Sequence, residues 1–153
     1  MLRARLTTEM KEAMKAGEKA KLATIRMIQA ALKDKDIEAR GLGKEPASEE
    51  EILALLQKMI KQRNESAAVY EQGGRPELAE NERAEISVIE TYLPKQMDEA
   101  ETQGAIDAAI AEAGAAGPKD MGKVIAILKG TYAGRMDFAK ASGLVKAALN
   151  AKA

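Results

Sequence analysis

Apolar residues recur in this chain at intervals of three and four positions, in segments that glycine and proline separate. The first such segment holds Leu2, Leu6, Met10 and Met14, and the last holds Val145 and Leu149. This spacing places apolar side chains on one side of an α-helix, whereas a half-buried strand would show strict alternation. The pattern predicts seven helices and no strand, and therefore an all-α fold.

Local signals indicate where several of these helices begin and end. Ser48 and Glu51 are spaced for a capping box, in which each side chain satisfies an unpaired backbone amide. The turn at Gly73–Pro76 is short, so we expect the long third and fourth helices to lie antiparallel. Asp98 and Asp137 are predicted to cap the fifth and seventh helices.

The stretch from Leu93 to Asp98 is the predicted domain boundary. Pro94 disfavours a helical conformation at Leu93 and cannot donate a backbone hydrogen bond itself. We therefore expect an N-terminal domain over residues 1–94, built as a helical hairpin or bundle. A small three-helix domain is expected over residues 98–153.

The chain contains no histidine and no cysteine, which removes several classes of chemistry. Disulfides, thiolate nucleophiles, Cys/His zinc sites and histidine acid–base catalysis are all excluded. We expect no catalytic residue, no metal ion and no cofactor. No apolar run approaches the roughly 20 residues that span a bilayer, and the first residues lack the apolar core of a signal peptide. A cytoplasmic protein without a membrane segment is the prediction.

Charge is balanced over the whole chain but unevenly distributed along it. Residues 1–33 hold eight Lys or Arg and three acids, and residues 34–114 hold nine against nineteen. Residues 115–153 hold seven Lys or Arg and only Asp120 and Asp137 as acids. The middle of the chain is therefore acidic, and both ends are basic.

The basic C-terminal segment has two interpretations. It could bind an anion, with the phosphates of an RNA as the leading candidate, or it could be a solvated surface or one that packs on the chain's own acidic middle. Tyr132 and Phe138 are its only aromatic residues, so RNA would be bound by its backbone and shape rather than by base stacking. The predicted nucleic-acid-binding residues are Lys119, Lys123, Lys129, Arg135, Lys140 and Lys146.

Three blocks, over residues 22–41, 50–97 and 119–149, resemble the YqeY family in the family's order. The third block also resembles the tail domain of the B subunit of the glutamine-dependent aspartyl/glutamyl-tRNA amidotransferase. Its most specific pattern is Asp120 to Val124, then Leu128–Lys129, Gly134–Arg135 and Asp137. Relatives commonly have another cation or a proline at Gly130–Thr131, so Lys129 and Arg135 become the strongest candidates near that turn.

The resemblance implies an all-helical protein in two parts that holds tRNA, as the amidotransferase tail helps to do, while catalysis occurs elsewhere. A tRNA-binding accessory protein is therefore the expected function. One alternative is an adaptor that binds an amidotransferase or translation-related protein through the helix around Lys58 to Tyr70. Another, from the family label alone, is a carbon–nitrogen ligase with glutamine as the amido-nitrogen donor. The residues offer no activated nucleophile for that reaction.

Overall fold

The computed structural model of the chain describes residues 1–152. Those residues form seven α-helices and one 3-10 turn, and they contain no β-strand. The all-α prediction is confirmed. The helices are α1 (Leu2–Ala16), α2 (Lys19–Gly41), α3 (Glu49–Gln72), α4 (Pro76–Glu90), α5 (Glu99–Ala113), α6 (Met121–Tyr132) and α7 (Phe138–Lys152), with the 3-10 turn at Pro118–Asp120.

The chain divides into two compact units. Unit 1 is Met1–Pro94 and contains α1 to α4, and unit 2 begins at Lys95 and contains α5 to α7. Each unit has a hydrophobic core of its own.

The core of unit 1 is made by the inner faces of α1, α2 and α3 together with the end of α4. Leu6, Ile25, Ile28, Ile52 and Leu56 are buried at its centre. These are the positions that the three-and-four spacing assigns to the inner faces of their helices.

The helices α3 and α4 are antiparallel, as the short turn between them predicts. Arg63 forms an ion pair with Glu85 at 2.9 Å, and Arg83 forms one with Glu71. Arg63 precedes Glu71 in α3, whereas its partner Glu85 follows Arg83 in α4. The two helices therefore run in opposite directions.

Unit 2 packs three short helices around one core. Ile106 and Ile110 of α5, Leu128 of α6, and Val145 and Leu149 of α7 lie in that core. Each helix contributes only two or three large buried side chains. The core of unit 2 therefore requires the buried faces of all three helices to pack together.

The predicted helix starts are confirmed. The Ser48 side chain accepts a hydrogen bond from the Glu51 amide at 3.2 Å, and the Ser48 amide donates to the Glu51 carboxylate at 3.3 Å, which completes the capping box. Asp98 accepts from the Glu101 amide at 2.7 Å. Asp137 accepts from the amides of Ala139 and Lys140 at the start of α7.

Candidate nucleic-acid interface

The six predicted binding residues all lie in unit 2, but they fall into groups. The helices α6 and α7 pack against each other and are joined by the short turn at residues 133–137. Lys129 in the last turn of α6, Arg135 in the connecting turn and Lys140 in the first turn of α7 lie at this end. Lys119 and Lys123 lie at the opposite end of α6, and Lys146 lies in the second half of α7.

The five lysines of this set are exposed to solvent. Within residues 1–152, none of them lies within 4.0 Å of an acidic side chain. The positive charge of these five lysines is therefore available to an anion, and among the six predicted residues only Arg135 forms an ion pair within residues 1–152, with Glu101.

One acid does lie near the lysines at the start of α6. The Asp120 carboxylate accepts a hydrogen bond from the Ala116 amide at 3.0 Å. That bond, with help from the Gly117 amide and from the charges of Lys123 and Lys119, lowers the pKa of Asp120. Asp120 thus stays ionised beside two lysines and reduces the positive potential at that end of α6.

Arg135 differs from the lysines because its guanidinium is used inside unit 2. Its Nε donates to the Lys95 carbonyl at 3.0 Å, and its Cζ lies 5.9 Å from the centroid of the Tyr132 ring. Its terminal nitrogen is 3.9 Å from the Glu101 carboxylate. These contacts hold the side chain in place within unit 2, and its predicted role in nucleic-acid binding stays a prediction.

The neighbours of Arg135 in the Gly134–Arg135…Asp137 pattern also have structural roles. Gly134 has a φ of 77°, a left-handed conformation that favours glycine. The Gly134 carbonyl accepts a hydrogen bond from the Gln96 side chain, and the Arg135 carbonyl accepts one from the Met97 amide at 2.9 Å. Asp137 occupies the free amides of α7, so this helix start is closed to an external anion.

Sequence reasoning missed one cation at the turn end of unit 2. Lys95 is exposed, and its backbone is held beside Arg135 by the contact at its carbonyl. It lies 40 residues from Arg135 in sequence and within the acidic middle of the chain, so no local pattern could have grouped it with Lys129 and Lys140.

Within residues 1–152, no helix is both long enough and apolar enough to cross a bilayer.

A family model described as "Yqey-like protein" matches residues 3–149. The chain is also similar to mitochondrial proteins named altered inheritance of mitochondria protein 41. The one from Clavispora lusitaniae is 35% identical over 97 residues, which cover 61% of this chain and 54% of that protein. Those from Vanderwaltozyma polyspora and Eremothecium gossypii are 33% and 31% identical over 88 and 90 residues, covering 58% and 59% of this chain and 46% and 48% of those proteins. The chain thus spans about half the length of the curated relatives it matches.

Proposed function

The chain belongs to the YqeY-like family, and from this membership and the charge of unit 2 we propose that it is an accessory protein that binds a folded RNA, with tRNA as the leading candidate. The supporting observation is the set of five exposed lysines in unit 2 that have no acidic partner within 4.0 Å among the described residues. Exposed ammonium groups without an acidic partner can bind phosphates, and such contacts do not select a base sequence.

Recognition through the RNA backbone is favoured over recognition of bases. Tyr132 and Phe138 are both half-buried against the core of unit 2, and no tryptophan is available in the chain. Base stacking needs an open aromatic face. The RNA would therefore be selected by the spacing of its phosphates and by its folded shape.

Binding rather than catalysis is the role we propose for this chain. A ligase reaction with glutamine as nitrogen donor needs a nucleophile activated by a neighbouring base. The cations of unit 2 can hold a phosphate backbone but cannot supply that nucleophile. The cytoplasmic location expected from the sequence stays a prediction, since the names of the matched relatives place those proteins in mitochondria.

The first test is titration of a labelled tRNA at about 50 and about 200 mM salt, a range over which phosphate contacts lose much of their affinity. The variant exchanges two lysines of α6, Lys123→Glu with Lys129→Glu. We expect at least about tenfold weaker binding and a salt slope smaller by about one unit for each lysine that contacts a phosphate.

A matched control is Lys58→Glu with Lys61→Glu, which reverses two exposed lysines of α3 in unit 1. It changes the net charge in the same direction and should leave tRNA affinity within about twofold if α6 provides the contact. If the affinity for tRNA did not depend on salt, or fell equally in the variant and the control, unit 2 would not be the part of the chain that binds the RNA. Arg135→Glu is unsuitable here, because it would also break the contact with Lys95.

A further inference from the structure

The outer face of α2 presents a stripe whose members are all exposed, although the Arg63 guanidinium of α3 reaches the Met27 sulfur at 4.0 Å. Ile25, Ile28 and Leu32 face the core of unit 1. On the opposite side, six exposed residues follow one another at intervals of three and four. This outer stripe is Ala20, Ala23, Met27, Ala30, Asp34 and Ile37.

The outer stripe is small and apolar except at one position. Met27 is 38% exposed and Ile37 is 58% exposed, and three of the other four members are alanines. The alternating three-and-four interval is the one by which two helices pack along a shared seam. Between Ala20 and Ile37 the helix rises by about 25 Å, which suits a partner helix of about five turns.

A row of four cations borders this stripe on one side. Its members are Lys19, Arg26, Lys33 and Arg40, each seven residues from the next. All four are exposed, and within residues 1–152 none lies within 4.0 Å of an acidic side chain. Residues seven apart stay on the same flank of a helix seam, so the row can meet a matching row on a partner.

A groove between α2 and α4 lies at the start of the stripe, and Lys19 of the cation row is among the residues that line it. Ala20, Ala23 and Thr24 line it from α2, and Asn81 and Val88 line it from α4. The start of the outer stripe therefore lies beside a concave surface that could receive side chains from a helix lying on α2.

We propose that the outer stripe of α2 binds an amphipathic helix of another protein, whose apolar seam is bordered by acidic residues seven apart. The apolar positions would pack against Met27, Ile37 and the alanines between them. The acidic residues would face the cation row, which then sets the direction and the register of the partner.

A second copy of this chain fits the face poorly. If two α2 helices packed antiparallel, the cation row of one would meet the cation row of the other, and like charges would repel. In a parallel pair the row would face the positions of Thr24, Ala31 and Glu38, of which Thr24 is buried and only Glu38 is acidic. RNA fits poorly as well, because a phosphate backbone would pair with the cation row but would leave the apolar side chains of Met27 and Ile37 uncovered.

The experiment uses a synthetic helical peptide of about 25 residues, with alanine and leucine along the seam, glutamate on one flank and glutamine on the other. The control peptide replaces each glutamate with lysine. Binding to the full chain is measured by fluorescence anisotropy. We expect the acidic peptide to bind and the basic peptide to bind at least about tenfold more weakly.

Variants of the chain then locate the binding. Arg26→Glu with Lys33→Glu reverses the middle of the row, and Ala30→Glu places a bulky charge within the stripe. Each variant should bind the acidic peptide about tenfold or more weakly than the original chain does. Its helicity, measured by circular dichroism, should be unchanged. The matched control, Lys35→Glu, changes an exposed lysine that lies away from the stripe on the same helix and should leave the affinity unchanged.

Three outcomes would overturn the proposal. The acidic peptide would fail to bind, both peptides would bind equally, or Lys35→Glu would weaken binding as much as the double reversal. A double reversal that weakened tRNA binding while the acidic peptide did not bind would assign this face to nucleic acid instead.

Discussion

At the scale of single residues, the Asp36 side chain of α2 accepts hydrogen bonds from two other segments of unit 1. Arg3 binds both of its carboxylate oxygens, at 2.8 and 2.9 Å, and also reaches the Ala47 carbonyl at 2.9 Å. The Ala47 amide donates to Asp36 at 3.0 Å. These contacts join α1, α2 and the loop that leads into α3.

This arrangement predicts how acid affects the stability of unit 1. The hydrogen bond from Arg3, followed by that from the Ala47 amide, lowers the pKa of Asp36 from 3.8 to about 2. Because the folded pKa is the lower one, the contribution is complete above pH 3.8 and is lost as the pH falls towards 2. Asp36→Asn should cost about 1 kcal/mol at neutral pH, the upper end for an exposed pair of good geometry.

The measurement is urea unfolding of both proteins between neutral pH and pH 2.5. The difference in the free energy of unfolding should shrink as the pH falls. Asp34→Asn is the matched control, since Asp34 lies in the same helix and forms no ion pair in residues 1–152, and it should not change stability at neutral pH. A difference that stays constant with pH would contradict the assignment.

At the scale of helices and turns, two glycines of unit 2 have opposite consequences for stability. Gly143 lies inside α7 and is exposed, and a side chain added there would meet nothing within 4 Å. Gly134 lies in the turn before α7 with a φ of 77°. The first glycine only weakens a helix, whereas the second allows a turn that other residues rarely adopt.

Substitution by alanine should therefore separate them. Gly143→Ala should stabilise the chain by about 0.5–1 kcal/mol, because alanine restricts the unfolded chain and favours helix. Gly134→Ala should destabilise it by about 1–2 kcal/mol, the cost of a left-handed conformation for a residue with a Cβ. Thermal unfolding followed by circular dichroism distinguishes the two, and shifts of the same sign in both variants would refute this explanation.

The helices could be predicted because their causes lie within a few residues. The capping box at Ser48 and the three-and-four spacing are local signals, and both agree with the structure. The prediction of buried positions was less accurate in α1, because residues spaced four apart do not stay on one side of a helix. Leu2, Leu6, Met10 and Met14 are each four residues apart, but each step of four turns the side chain about 40° around the helix. Met14 is consequently 54% exposed, and Ala13 is buried in its place.

The site could be predicted only in part, for a related reason. The exposed lysines of unit 2 could be expected from sequence because lysine is charged and is rarely buried, and their role in RNA binding stays a prediction. The environment of Arg135 could not, because its partner is a backbone carbonyl 40 residues away. A contact between a side chain and a distant carbonyl leaves no trace in residue type, so the sequence could not show that Arg135 also has an internal partner.

At the scale of the whole molecule, the two cores contain no buried residue in common. A cavity made in one core should therefore act on that unit first. Leu128 is fully buried in unit 2, so Leu128→Ala should destabilise unit 2 by about 2–5 kcal/mol.

Amide hydrogen exchange measures the stability of each unit separately. Exchange should accelerate in α5, α6 and α7 while the amides of α3 keep their protection. Leu56→Ala, at an equally buried position of unit 1, should give the reverse result. Equal loss of protection in both units from either variant would mean that they unfold as one.

The segment Lys95–Met97 begins unit 2 and is held by the turn before α7 through three hydrogen bonds. We therefore expect these three hydrogen bonds to set the path by which the backbone enters unit 2 when another protein is fused before Lys95. A recombinant fragment that starts at Asp98 would lose this built-in entry, whereas one that starts at Lys95 would keep it.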